Sequence, residues 1–120
     1  MKFARVVYSI AGIYGILVLA PGFFLLERVG RDMPPPVTHP EYYYGFYGVT
    51  LVWQLAFLLI ARDPARYRPL MPVAVLEKAA WVAAVGLLAS AGQAAPPVIM
   101  FAGIDAVLGV LFAIAYFRAR

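Results

Sequence analysis

Three ionisable residues, Glu77, Lys78 and Asp105, lie inside long apolar stretches, where a charge is costly. Asp105 lies in the stretch 98–117, VIMFAGIDAVLGVLFAIAYF, which is long enough to cross a lipid bilayer as a helix. A bare carboxylate at the centre of a bilayer costs about 2.5–3.5 kcal/mol on insertion scales, so we expect Asp105 to be protonated, paired or turned toward a wet cavity. It then belongs to a proton- or cation-coupled site, anchors a ligand through a hydrogen bond, or forms a structural hydrogen bond between helices.

Glu77 and Lys78 are adjacent ionisable residues near the start of another apolar stretch. Because neighbours on a helix point about 100° apart, we do not expect both to face the interior. Lys78 can extend its amine into the lipid headgroups, whereas the shorter Glu77 turns inward or pairs with Arg66 or Arg68. Trp81 follows Glu77 by four positions and therefore shares its face, which places a carboxylate beside an aromatic ring.

A polar stripe formed by Tyr47, Thr50 and Gln54 follows one face of the second apolar stretch. Such a stripe turns away from lipid, because unpaired polar groups are costly in hydrocarbon. An interior track with Asp105 at one end and Glu77 at the other is geometrically possible, and polar contacts that hold helices together explain the pattern equally well. The predicted ligand-binding or intramembrane polar site consists of Asp105, Glu77, Gln54, Trp81, Tyr47 and Thr50.

Small residues mark surfaces where membrane helices approach one another closely. The first apolar stretch contains Ser9, Gly12 and Gly15, and the fourth contains Gly103 and Gly109 on either side of its acidic residue. We predict that these five are helix-packing positions, either within one bundle or across the interface of a homo-oligomer or larger membrane complex.

The composition excludes several classes of protein. Hydrophobic residues make up 64% of the 120 positions and charged residues 13%, whereas soluble domains have about 25% charged residues. The absence of cysteine and the single histidine exclude disulfide scaffolds, cysteine-based zinc or iron–sulfur sites and an intrachain bis-histidine haem. Motifs for soluble-type catalysis are absent, so the sequence predicts no catalytic residues, no metal site and no cofactor, and favours a protein that is not an enzyme.

The elements that position these residues are four apolar stretches of roughly 20 residues each. They cover residues 6–26, 42–61, 73–92 and 98–117. Together they predict an all-α fold, a four-helix transmembrane bundle in one integral membrane domain.

Basic residues concentrate in three of the segments outside these stretches. They are Lys2, Arg5, Arg62, Arg66, Arg68, Arg118 and Arg120. The positive-inside rule therefore predicts that both termini are cytoplasmic (N-in/C-in). We expect Arg62, Arg66 and Arg68 to contact anionic lipid headgroups. The lipid bilayer is therefore the predicted partner, and we expect no binding of nucleic acid.

The connecting segments carry their own signals. Pro21 and Gly22 predict a kink or an early end of the first helix, and the prolines of 27–41 predict an extended, polyproline-like arm. Asp63 before Pro64 is typical of a helix start and predicts a short turn on the membrane surface.

Three segments resemble a known group of proteins. The connector DPARYRPLMP at 63–72 leads into LEKAAW at 76–81, and the chain continues to DAVLGVLFAIAYFRA at 105–119. These segments resemble small bacterial membrane proteins of the DoxX-like and BphX-like kind, more so over the last three helices than over the first. The resemblance implies a multi-pass four-helix bundle in the bacterial inner (cytoplasmic) membrane, without a catalytic residue set.

Three functions are compatible with these features. The small-residue face of the first helix and the absence of catalytic motifs favour an accessory or interaction subunit of a membrane assembly. A second hypothesis is a binding or transport module for an apolar or amphipathic small molecule, using Asp105, Gln54 and Glu77. The third is a quinone-linked membrane redox component.

Overall fold

The described part of the chain is mostly helical, with turns and irregular segments between the helices. The computed structural model describes residues 1–119, in which no strand occurs. The five α-helices are α1 (Lys2–Leu19), α2 (Leu26–Asp32), α3 (Pro40–Arg62), α4 (Met71–Ser90) and α5 (Pro96–Arg118).

Within residues 1–119, four helical segments are long and apolar enough to cross a membrane. They are Lys2–Phe24, Pro40–Arg62, Arg68–Ser90 and Pro96–Arg118. This confirms the predicted all-α four-helix bundle and makes the chain a small multi-pass membrane protein. The four long α-helices begin two to four residues before the predicted stretches, because prolines and charged residues that end an apolar run still fit the first turn of a helix.

The long helices pack as two pairs. Helix α1 lies against α3 and α4 lies against α5, and a smaller contact between α1 and α5 joins the pairs. The helices therefore follow one another in the spatial order α3, α1, α5, α4. Helices α3 and α4, at the two ends of this order, do not pack closely along their backbones within the described chain.

One end of the bundle, here called the basic end, contains the start of α1, the end of α5 and the connector between α3 and α4. The Arg5 guanidinium donates a hydrogen bond to the Arg62 carbonyl oxygen at 2.9 Å, and Arg68 Nε donates one to the Tyr116 carbonyl oxygen at 3.0 Å. Arg62 and Arg66 are exposed there, as headgroup contacts require, whereas Arg68 is partly buried. The N-in/C-in orientation remains a prediction.

The core near the basic end is aromatic. The rings of Tyr8 and Phe112 stack with centroids 4.2 Å apart, and Phe57 packs edge-on against Phe112 at 5.0 Å. All three side chains are fully buried. Ala4, Ala11 and Ala115 fill the space around the rings, so helices α1, α3 and α5 are held together by close packing.

The predicted small-residue positions differ in what they contact. A Cβ atom added at Gly12 would overlap Leu58, and one at Gly15 would overlap the side chain of Gln54, so both glycines let α1 approach α3. A Cβ atom added at Gly109 would lie 3.2 Å from the Cβ of Lys78, so this glycine lets α5 approach α4. Ser9, on α1, is partly buried.

Gly103 is not a packing position between helices of the described chain, and a role at an interface with another chain stays a prediction. A Cβ atom added there would meet no heavy atom of the described residues within 4 Å, and the residue is exposed. Gly103 lies on the outer face of α5, because the residues of α5 that face α4 and α1 are Asp105, Leu108 and Phe112 and their helical neighbours.

Three connections have clear local causes. Helix α1 ends at Leu19 and continues as the 3₁₀ segment Ala20–Phe24, which confirms the early helix end predicted at Pro21. The Asp63 carboxylate accepts a hydrogen bond from the Arg66 amide at 3.3 Å, which fixes the predicted turn. Gly92, with φ of +71°, ends α4 in a Schellman turn in which the Gln93 amide donates to the Leu88 carbonyl oxygen.

The segment 27–41 differs from the extended arm that its prolines predicted. Its first part belongs to α2, which has Glu27 in its first turn and Arg31 in its last, so both charges favour the helix dipole. The irregular backbone begins only at Met33, immediately before the triple proline.

Candidate functional site

A cavity of about 260 Å³ lies in the half of the bundle farther from the basic end. It occupies the space that opens between the two helix pairs, since α3 and α4 do not close against each other. All four long helices and α2 contribute to its wall. The lining residues used below are Tyr14, Gly15, Val29, Met33, Phe46, Tyr47, Thr50, Gln54, Glu77, Lys78, Trp81, Phe101 and Asp105.

Three charged side chains meet in the wall of this cavity. Lys78 Nζ donates a hydrogen bond to Asp105 Oδ1 at 3.2 Å and lies 3.6 Å from Glu77 Oε2. The Lys78 side chain is 5% exposed, and the two carboxylates are 17% and 18% exposed. Two carboxylates therefore share one ammonium group inside a membrane-spanning bundle, where buried charges pair with one another.

The prediction that Lys78 extends its amine to the headgroups is wrong. Gly109 lies directly under the Cβ of Lys78 and leaves a groove across α5. Asp105 lies four residues before Gly109 on the same face of α5, so the lysine side chain reaches its carboxylate along that groove. Pairing with a buried carboxylate replaces the hydration that the lysine would gain at the membrane surface.

Glu77 also differs from one of its predicted arrangements. It pairs with Lys78 and with neither Arg66 nor Arg68, and Arg68 Nε donates to the Tyr116 carbonyl oxygen. Both Glu77 and Lys78 line the cavity, although adjacent residues point in different directions. The long lysine side chain bends back toward the glutamate, which sequence spacing alone does not predict. Glu77 Oε2 is buried and accepts no hydrogen bond from the described residues.

Gln54 provides a second buried acceptor. Its Nε2 donates to the Thr50 carbonyl oxygen of the preceding turn at 2.8 Å, and its side chain lies over Gly15. Its Oε1 receives no hydrogen bond within residues 1–119 although the residue is 1% exposed. An unbonded buried amide oxygen costs about 1–3 kcal/mol, so a donor that enters the cavity would satisfy a real deficit.

Aromatic rings form much of the remaining wall. Phe46 on α3 and Trp81 on α4 approach to 5.0 Å between centroids and bridge the gap between their helices. Below the charged cluster, the ring of Phe57, a member of the aromatic core, lies 5.2 Å from Lys78 Nζ. Tyr43 fixes the upper part of α3, because its hydroxyl donates to the Gly22 carbonyl oxygen at 2.7 Å.

The structure brings the six residues of the predicted polar site around this one cavity. Asp105, Glu77, Gln54, Trp81, Tyr47 and Thr50 all line it. The predicted track placed Asp105 and Glu77 at its opposite ends. In the structure both carboxylates contact Lys78 and therefore lie at the same depth in the bundle.

Sequence reasoning missed several other lining residues. Lys78 was assigned to the headgroups, although a basic residue within a membrane-spanning segment that also contains acids signals a buried pair. Tyr14, Phe46 and Phe101 lie among many other aromatic residues, and their sequence spacing contains no signal that distinguishes them. Val29 lies on α2, and Met33 directly follows that helix, which the prolines of this segment do not predict.

A metal centre has no support in the part of the chain that the structure describes, where no group of three or more histidine, cysteine, aspartate or glutamate side chains is arranged to hold an ion. In comparisons with family models, curated proteins and solved structures, no match to this chain was found. The resemblance to DoxX-like and BphX-like proteins therefore stays a prediction, and the site has to be interpreted from its own geometry.

Proposed function

We propose that this small membrane protein binds an apolar or amphipathic small molecule in the cavity around Lys78. The observation that carries the proposal is a mostly apolar cavity in which a few buried polar groups converge, the usual composition of a ligand site. The polar groups are Glu77, Asp105, Lys78 and Gln54, and the apolar wall includes Trp81 and Phe46.

The geometry weakens the main argument for an accessory subunit. That hypothesis relied on Gly12 and Gly15 as a contact surface for a partner. The side chains of Leu58 and Gln54 on α3 already cover these two glycines. A subunit role would need another contact surface. A quinone-linked redox component remains an alternative, in which a quinone would be the molecule in the cavity.

The bacterial inner membrane remains our proposal for the location. It is supported by the resemblance to DoxX-like proteins and by the basic end, which the positive-inside rule would place in the cytoplasm.

Tryptophan fluorescence can test binding directly, because the chain has only two tryptophans. The variant Trp53→Phe leaves Trp81, in the cavity wall, as the single reporter. The probes are 8-bromooctylamine, 8-bromooctanol and 8-bromooctanoic acid, whose bromine quenches a nearby indole, and the protein is held in phosphatidylcholine nanodiscs.

The control reporter lies on the outer surface of α3. The triple variant Trp53→Phe/Trp81→Phe/Val49→Trp has its single tryptophan at a position that is 65% exposed in the native chain. We expect quenching of Trp81 to saturate with at least one probe and quenching of the control reporter to rise in proportion to the probe in the bilayer. Proportional quenching of both reporters by all three probes would refute binding in the cavity.

A further inference from the structure

The groups of the cavity that lack partners define the polar end of its occupant. Lys78 provides one positive charge, and Glu77 and Asp105 provide two negative charges. Within the described residues these are the charged side chains that line the cavity, so the wall has one formal negative charge in excess. An excess charge in a low-dielectric site attracts a counter-charge far more strongly than the same charge in water.

The hydrogen-bonding deficit has the same sign. The buried cavity atoms that lack a hydrogen bond from residues 1–119 are Glu77 Oε2 and Gln54 Oε1, and both are acceptors. The two nitrogens nearest these acceptors direct their hydrogen bonds elsewhere: Lys78 Nζ donates to Asp105 and lies 3.6 Å from Glu77 Oε2, and Gln54 Nε2 donates to the Thr50 carbonyl oxygen. A hydrogen-bond donor on the occupant would satisfy both of these acceptors.

The aromatic wall also favours a cation. Trp81 and Phe46 line the cavity together with Tyr14 and Tyr47, and the faces of such rings attract cations, most strongly where water is excluded. The structure already contains one interaction of this kind, between Lys78 Nζ and the Phe57 ring.

We propose that the occupant is a protonated amine on an apolar body, with its ammonium group donating to Glu77 Oε2 and Gln54 Oε1. This inference rests on the proposed binding function and specifies its ligand class. An anionic head would face two carboxylates with a lysine that is already paired. A neutral alcohol would satisfy a hydrogen bond and leave the excess charge unbalanced.

The three bromooctyl probes test this order because they share one tail and differ in the head. In the Trp53→Phe variant, with each concentration corrected for its bilayer partition by the control reporter, we expect the amine to bind about tenfold more tightly than the alcohol and the acid to bind most weakly. The tenfold figure reflects the greater strength of a charged hydrogen bond over a neutral one.

Two variants assign the effect to the two acceptors. Glu77→Gln in the Trp53→Phe background should bring the amine to about the affinity of the alcohol, since the excess charge is gone. Gln54→Met should weaken amine binding several-fold and keep the preference for the amine over the acid. Glu27→Gln, which changes an exposed carboxylate on α2, should leave all three affinities unchanged.

The outcomes separate the two proposals. Saturable quenching with the alcohol or acid bound as tightly as the amine overturns the amine inference and keeps the binding function. An amine preference that survives Glu77→Gln also overturns the inference. If no probe gives saturable quenching, both proposals fail.

Discussion

At the basic end, α1, α3 and α5 meet through the fully buried rings of Tyr8, Phe57 and Phe112, whereas at the other end the same helices leave a cavity around paired charges. Apolar side chains gain little by leaving lipid for a protein interior, so helices in a membrane associate where their shapes fit closely. The close fit at the basic end holds the bundle together and allows the other end to remain open.

The two ends also treat charge differently. Near the basic end Arg5 and Arg68 donate to backbone carbonyl oxygens at the surface, where water and headgroups can complete their solvation. Around the cavity, Lys78 depends on Asp105 and Glu77 for its partners. Removal of a charge should therefore have very different consequences at the two places.

Loss of the cavity cation should have the largest effect. Lys78→Met leaves Asp105 and Glu77 without their shared counter-charge, and breaking a buried pair from one side typically costs about 3–5 kcal/mol of unfolding free energy. Lys2→Met is the matched control, because Lys2 is exposed at the basic end. Denaturant titration in mild detergent would measure both, and equal stability of the two variants would show that Lys78 is not buried.

The aromatic core should tolerate truncation less well than the cavity wall. Phe112→Ala removes a fully buried ring that touches Tyr8 and Phe57, and we expect it to cost about 3 kcal/mol. Phe101→Ala, on the same helix, only enlarges a cavity that already exists and should cost less than half as much. Thermal unfolding of the two variants tests this, and similar losses would mean that the two ends are packed equally.

The glycines provide the smallest expected effect. Gly15→Ala places a methyl group against the side chain of Gln54, and overpacking of this kind costs about 1–3 kcal/mol. Gly103→Ala meets open space on the outer face of α5 and should be neutral or slightly stabilising, since alanine favours a helix over glycine by up to about 1 kcal/mol. Melting temperatures that fall equally for both would contradict the packing described for α1 and α3.

The sequence predicts the long helices well because uncharged runs bounded by prolines and charges leave few alternatives. It fails at α2, where the short helix Leu26–Asp32 precedes a triple proline and has no apolar periodicity of its own. Helix ends are local properties, whereas the contacts of α2 with the cavity depend on the whole bundle.

The site is partly predictable for a similar reason. Polar side chains are costly in contact with lipid, so the sequence predicts that Asp105, Glu77 and Gln54 turn inward, and all three line one cavity. Spacing gives no rotation of α4 relative to α5, so the Lys78–Asp105 pair and the groove at Gly109 could not be predicted. The role of these residues in binding stays a proposal.

The cavity as a binding site is the central claim, and filling it tests that claim most directly. In the Trp53→Phe background, Thr50→Phe places a ring inside the cavity and Val49→Phe places the same ring on the outer surface one residue away. We predict that saturable quenching of Trp81 by 8-bromooctylamine disappears in the Thr50→Phe variant and persists with unchanged affinity in the Val49→Phe variant. Saturable quenching that survives Thr50→Phe, in a variant that remains folded, would contradict the account.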